Sequence, residues 1–287
     1  MAIEIKEGFK VYVNGRKSII IDSNRIEECM QFYEKNNLDG VAITIAHDYK
    51  LKDVDFLIDY PEIRHVSISE GIDDISAIHS LINLESLMIS GKKRKVDFSY
   101  FPLLMKFVAD WSPDFCNMEK CLYLNDLHFY GYNPKSKDCS SIPYIPSLKK
   151  LKIVQSPINT LSGLNRFDHL EELDIIYCSK LETLCCLEKS KENIVSLLFD
   201  HCKSIKNHEY VKLFPNLNNL AYNDSGRIQS IKFIENLVSL KSFRFVGTDV
   251  IDGNMEPCIG LKFASFTNKK HFSHTMERVK TITKGLT

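Results

Sequence analysis

Hydrophobic and polar positions along this chain repeat with a period far longer than that of a helix or a strand. The segment Leu148-Lys-Lys-Leu151-Lys-Ile153 returns in kind as Leu170-Glu-Glu-Leu173-Asp-Ile175, Leu217-Asn-Asn-Leu220-Ala-Tyr222 and Leu240-Lys-Ser-Phe243-Arg-Phe245. Extending this LxxLxL pattern in both directions places unit starts at Gly40, Ile63, Leu84, Leu104, Leu124, Leu148, Leu170, Ile194, Leu217, Leu240 and Leu261, at near-constant intervals. Positions 0, +3 and +5 of the eleven units make 33 sites, of which Gly40 alone is not hydrophobic, against roughly 14 expected from a chain 44% hydrophobic. Side chains two apart point to the same face of a strand, so +3 and +5 enter one core from one short strand. Behind each strand the apolar positions step by three, as in Ile158, Leu161, Leu164 and Phe167, or Leu181, Leu184 and Leu187. That spacing suits short 3-10 turns. The pattern predicts an α/β repeat solenoid: parallel strands about 4.8 Å apart forming a concave sheet, with 3-10 turns and loops on the convex side.

The ends break the period. Phe9–Val13 and Ser18–Ile21 flank Asn14-Gly15, a strong hairpin signal because a type I′ turn needs positive φ at both central residues. Asn24 and Glu27 have capping-box spacing before an apolar stripe of Ile26, Cys29, Met30 and Tyr33, which predicts a helix ending near Asn36. Residues 1–39 therefore read as an N-terminal hairpin-helix capping module, 40–268 as the repeats, and 269–287, with Met276, Val279 and Ile282 at helical spacing, as a C-terminal cap. Two irregular loops interrupt the repeats. Gly91–Lys95 is basic and reads as a solvated turn, and Gly131–Ser141 makes its unit one of the longest, beside the expected binding face.

The repeat resembles the leucine-rich repeat family, in the short-repeat form of bacterial internalin-like and intracellular proteins, over residues 40 to about 268. The family's Asn at +8 is replaced here by Asp48, Ser112, Ser156, Cys178, Cys202, Ser225 and Thr248, with Gly71, Lys92, Tyr132 and Lys269 as outliers. Small hydroxyl and thiol side chains can still satisfy backbone groups in the turn after the strand. The resemblance implies a protein-recognition module that binds on its concave face.

Composition narrows the function classes. Thirty-seven basic residues balance 37 acidic ones, so no net field favours nucleic acid or an anionic membrane. No run approaches the length of a membrane span, and the first residues lack the pattern of a secretory signal. The nine cysteines are odd in number and sit mostly in apolar contexts, as reduced thiols do in the cytoplasm. No catalytic motif and no zinc-ligand spacing occurs, so the expectation is a monomeric non-enzyme without metal or cofactor.

Positions +2, +4, +6 and +7 should project from the concave sheet. The candidate partner-binding residues there are Asp110, Trp111, Asp126, His128, Tyr130, Lys152, Glu172, Asp174, Tyr177, Asp200, His201 and Arg244. Trp, Tyr and Arg are enriched at interface hot spots, and Asp110, Asp126, Asp174 and Asp200 would form an acidic column facing a basic protein. An intracellular immunity or antitoxin-like protein fits these features. The rivals are a host-directed effector or adhesin and, from another class, an enzyme with a concave-face site.

Overall fold

The computed structural model describes residues 2–13 and 15–285. The chain divides into two compact units, Met1–Leu127 and His128–Thr287.

The first unit opens with β1 (Ile3–Lys6), β2 (Phe9–Tyr12), β3 (Ser18–Ile20) and α1 (Ile26–Lys35). The repeating strands β4 (Gly40–Ile43), β5 (His65–Ile68) and β6 (Ser86–Ile89) follow, and then β7 (Val96–Asp97), β8 (Lys106–Asp110) and β9 (Phe115–Cys116). Strand β10 (Asp126–Tyr130) runs across the division. The sheet order is β1-β2-β3-β4-β5-β6-β8. The first two links are antiparallel and the others parallel. Strands β7 and β9 make a separate parallel pair.

Register corrects the first unit. Val41 pairs with Val66 and Ile43 with Ile68, which puts Leu38, not Gly40, at position 0. Every core site of the eleven units is then hydrophobic, with Val41 and Ile43 buried, while Ile45, assigned to the core from the sequence, is 53% exposed. Asp48 also leaves the +8 series and bonds Lys10 instead. Gly40 is required by packing: a Cβ there would lie 2.6 Å from the His65 carbonyl oxygen. Strand β3 pairs in parallel with β4, and Ile19 and the nearby Ile21 are buried, so the parallel ladder starts one rung before the recognisable repeat.

The N-terminal turns also differ from expectation. The two-residue hairpin joins β1 to β2 at Glu7-Gly8, where φ is +50° and +81° and Lys6 pairs with Phe9, as a type I′ turn requires. Strands β2 and β3 do form a hairpin, but Tyr12 pairs with Ser18, so residues 13–17 connect them. Asn14 itself lies outside the described residues. The Asn24–Glu27 capping box is absent. Asp22 instead accepts hydrogen bonds from the Asn24 backbone and side chain, and α1 buries Cys29, Met30 and Phe32.

The second unit contains β11 (Lys150–Val154), β12 (Glu172–Ile176), β13 (Ser196–Asp200), β14 (Asn219–Asn223), β15 (Arg227–Ile228), β16 (Ser242–Phe245), β17 (Asp249–Val250), β18 (Phe263–Phe266) and α2 (Met276–Lys284). Its sheet order is β11-β12-β13-β14-β16-β18, parallel throughout, with β15 and β17 paired apart. Each strand begins just after its unit start, and Leu173, Leu197, Leu220 and Phe243 stack as consecutive buried rungs. The three-spaced apolar residues Ile158, Leu161, Leu164 and Phe167 are all buried, and 3-10 turns occur at Leu164–Arg166 and Glu188–Ser190. Helix α2 packs on β18 through buried Val279, and Thr275 caps it by accepting from the Arg278 N–H. Among the described residues no helix is long and apolar enough to cross a membrane.

Charge is complementary in the same register. Lys149 faces Glu171 at 2.7 Å, Lys150 faces Glu172 at 2.7 Å, and Lys152 stands 3.9 Å from Asp174. The sequences LKKLKI and LEELDI thus match cation to anion on adjacent parallel strands. Exposed cross-strand pairs contribute about 0.2–1 kcal/mol each, and like charges at the same sites oppose pairing by similar amounts. Changing Lys149, Lys150 and Lys152 together to Glu should cost roughly 1–3 kcal/mol in urea unfolding at low salt. About 1 M salt, with its Debye length of about 3 Å, should restore most of that loss. A loss independent of salt would assign the effect to packing.

Candidate functional site

The turn after each strand is built from two successive residues with different tasks. In the second unit, Gln155, Tyr177, His201 and Asp224 occupy +7 with φ of +56°, +54°, +55° and +44°. This left-handed bend aims each backbone N–H at the +6 carbonyl of the next rung: Gln155 to Ile176, Tyr177 to Asp200, His201 to Asn223 and Asp224 to Val246, at 2.8–2.9 Å. The bend leaves these side chains on the surface and turns the next residue, +8, into the core.

Side chains at position +8 then replace the asparagine ladder. Cys178 Sγ donates to the Ile153 carbonyl at 4.0 Å, Cys202 Sγ to Ile175 at 3.4 Å and Ser225 Oγ to Phe199 at 3.0 Å, while Thr248 Oγ1 donates to Tyr222. Each donor reaches the +5 carbonyl of the rung before it. Cys202 N–H and Ser225 N–H in turn donate to Ser225 Oγ and Thr248 Oγ1, which links rung to rung. Burial pushes the thiol of Cys178 up to about 11 and that of Cys202 up to about 12, so both keep the proton they donate.

The structure separates the candidate residues into groups. In the first unit, Asp110 Oδ2 accepts from Gly91 N–H at 2.7 Å, and Lys106 lies 2.6 Å from Asp126. Trp111 is half-buried. In the second unit, Lys152 and Glu172 belong to the charge rungs, and Tyr130 is exposed. Burial pushes the Asp174 carboxyl above its ordinary range, a shift that Lys152, His128 and exposed Arg244 oppose. His201 packs against the ring of Tyr177, 52% exposed, with centroids 4.4 Å apart and the planes tilted by 32°. The Asp200 carboxylate accepts from His201 Nδ1, and Asp224 Oδ2 stands 4.0 Å from His201 Nε2.

The four carboxylates of the expected acidic column hold different repeat positions and are divided between the two units. Asp126 stands at +2, Asp174 at +4, and Asp110 and Asp200 at +6, and three of these carboxylates are already engaged by a lysine or a backbone N–H. Sequence reasoning also left Asp224 and Gln155 out of the candidate set. The signal was available, because each holds the same +7 position as Tyr177 and His201.

The two irregular loops are tied to the scaffold. Arg94 is buried and donates to the carbonyls of Ser90, Ile72 and Asp73. The 131–141 loop is anchored by buried Tyr132 and Cys139 and exposes residues 135–137. The cysteines are free thiols, with Cys116 and Cys185 exposed.

No family model matches the sequence, and no curated protein matches it. Among solved structures, a leucine-rich repeat protein of Leptospira interrogans has a TM-score of 0.52 at 12% identity, covering 88% of this chain and 72% of its own. The mouse RP105/MD-1 complex has a TM-score of 0.50 at 13% identity, covering 72% of this chain and 38% of that one. The leucine-rich repeat domain of the type III effector XopL has a TM-score of 0.47 at 14% identity, covering 70% of this chain and 75% of that one. At these identities the likeness is one of fold. The chain has the leucine-rich repeat fold, an α/β solenoid with a parallel sheet on one side and 3-10 turns and loops on the other.

Proposed function

We propose that the chain is a non-catalytic recognition module that binds a folded protein on the open face of its parallel sheet, with the second unit's +7 row as the anchor. One observation carries this reading: Gln155, Tyr177 and His201 hold left-handed backbone conformations in a row where glycine would be the least strained choice. A left-handed non-glycine residue costs about 1–2 kcal/mol. Side chains kept at such a cost and presented to solvent are characteristic of a surface selected for contact. Tyr177 adds exposed aromatic area, and the +8 ladder behind it holds the row rigid, which lowers the entropy lost on binding.

The basic-partner expectation now rests on Asp200 and Asp224, since lysines already neutralise Glu172 and Asp174. Residues 1–39 and 269–285 serve in this reading as end caps that cover the first and last rungs.

The test is affinity capture from lysate of the source cells with three folded chains: the wild type, a Tyr177→Ala, Gln155→Ala double variant, and a Lys189→Ala control on the other side of the repeat. The expected result is one protein retained by the wild type and the control and lost by the double variant, with the contact then mapped by crosslinking from position 177. Equal retention by all three chains would remove the +7 row as the anchor. The identity of the captured protein separates an immunity-like role from a host-directed or adhesive one.

A further inference from the structure

We propose that His201 Nε2 and the Asp224 carboxylate ligate a divalent transition-metal ion of the zinc class, with Asp200 orienting the imidazole from its other nitrogen. The three side chains offer ligand atoms that all lie within 4.8 Å of one another. This is a mixed imidazole and carboxylate set, which suits zinc-class ions better than calcium or magnesium.

The arrangement begins with the ring. Asp200 accepts from His201 Nδ1, so the metal-binding form of the ring carries its lone pair on Nε2. A carboxylate behind the imidazole is the usual second partner of a metal-bound histidine, fixing its tautomer and raising its basicity. Facing that lone pair, Asp224 Oδ2 stands 4.0 Å away. The distance is too long for a hydrogen bond. A tetrahedral zinc-like ion with bonds of about 2.0–2.2 Å holds two ligand atoms about 3.3–3.6 Å apart, so a side-chain shift of about half an ångström closes this gap around one ion.

Charge along the unit supports the same conclusion. Glu171, Glu172, Asp174, Glu182 and Asp249 each face a lysine on a neighbouring rung. Among the described ion pairs, Asp200 and Asp224 share only the imidazole of His201. Two carboxylates outnumber the one imidazole they surround, which leaves a net negative charge that a divalent cation neutralises. The backbone also makes room for Asp224: a Cβ on Gly247 would overlap its Oδ1. Asp224 is exposed and the other two are half-buried, so the remaining coordination positions face solvent.

The ion binds the free chain, so its titration is read without the protein partner; once bound it neutralises the Asp200 and Asp224 charges on which the basic-partner expectation rests. The test is calorimetric titration of the full-length chain with Zn²⁺, with circular dichroism confirming that each variant is folded. The wild type should bind one ion at this site. His201→Ala should abolish that binding, Asp224→Asn should weaken it at least tenfold, and Asp200→Asn should weaken it by about 10–100-fold. A Cys116→Ser, Cys185→Ser double variant, which removes the exposed thiols, should retain it. The proposal is overturned if the wild type shows no saturable binding, if His201→Ala binds as the wild type does, or if the cysteine variant loses the ion.

Discussion

Ser225→Ala should lower stability by about 2–4 kcal/mol, because it removes the hydroxyl that the buried Cys202 N–H and Phe199 carbonyl bond. Ser225 is fully buried. Its one hydroxyl proton is shared between the Phe199 carbonyl at 3.0 Å and the Asn223 carbonyl at 2.7 Å, the latter also accepting from His201 N–H, and its oxygen accepts from Cys202 N–H at 3.2 Å. An alanine methyl answers none of these, and the sealed interior admits no compensation from bulk water. Ser225→Cys should recover at least half of the loss, since Cys178 and Cys202 already perform this task on the preceding rungs. The measurement is the urea midpoint and slope of the three chains. If the cysteine variant falls as far as the alanine one, a thiol cannot supply the bonding at this rung and the ladder account fails there.

Stability should also fall as pH drops below the ordinary histidine range. His208 is buried, its Nε2 donates to the Ser225 carbonyl at 3.0 Å, and its ring meets Tyr222 edge-on. Burial holds its pKa below the usual value, against a smaller upward pull from the hydrogen bond to Ser225. His65 is depressed in the same direction, first by burial and then by Arg16. For a depressed histidine the unfolded chain takes up its proton at a higher pH than the folded one. Stability is therefore full above the unfolded pKa of about 6.5 and declines as pH falls from there toward the folded pKa. The limiting slope is about 1.4 kcal/mol per pH unit for each such histidine. His208→Gln should be less stable at pH 8, since it loses packing, yet show a shallower decline between pH 6.5 and 5. An unchanged slope would mean that His208 does not carry the linkage.

Both predictions concern the same few rungs, and they show how differently fold and site were written in the chain. The core was legible because a solenoid reuses one local rule: Leu173, Leu197 and Leu220 each need only their own unit's spacing and the next unit's copy to be buried. The ladder was partly legible, since Ser225 and Thr248 stood where a small donor was needed. Its connectivity, donor to the previous rung's +5 carbonyl, required coordinates. The first unit was misregistered because Gly40 sits where a leucine was expected, and only pairing with β5 revealed that Leu38 fills that place.

The sequence by itself determined the repeat, its strands, the buried columns and the projecting positions, because each follows from periodicity within a short stretch of chain. Tertiary structure alone decided which projecting charges are already answered. Lys152 and Asp174 belong to successive repeats, yet they stand only 3.9 Å apart across two strands. It also decided that Asp200, His201 and Asp224 converge, since +6 and +7 of one unit meet +7 of the next only when parallel strands align at about 4.8 Å. Charge and ligand geometry depend on distance in space, and the repeat period carries the rung order but not which side chains come to face one another across it.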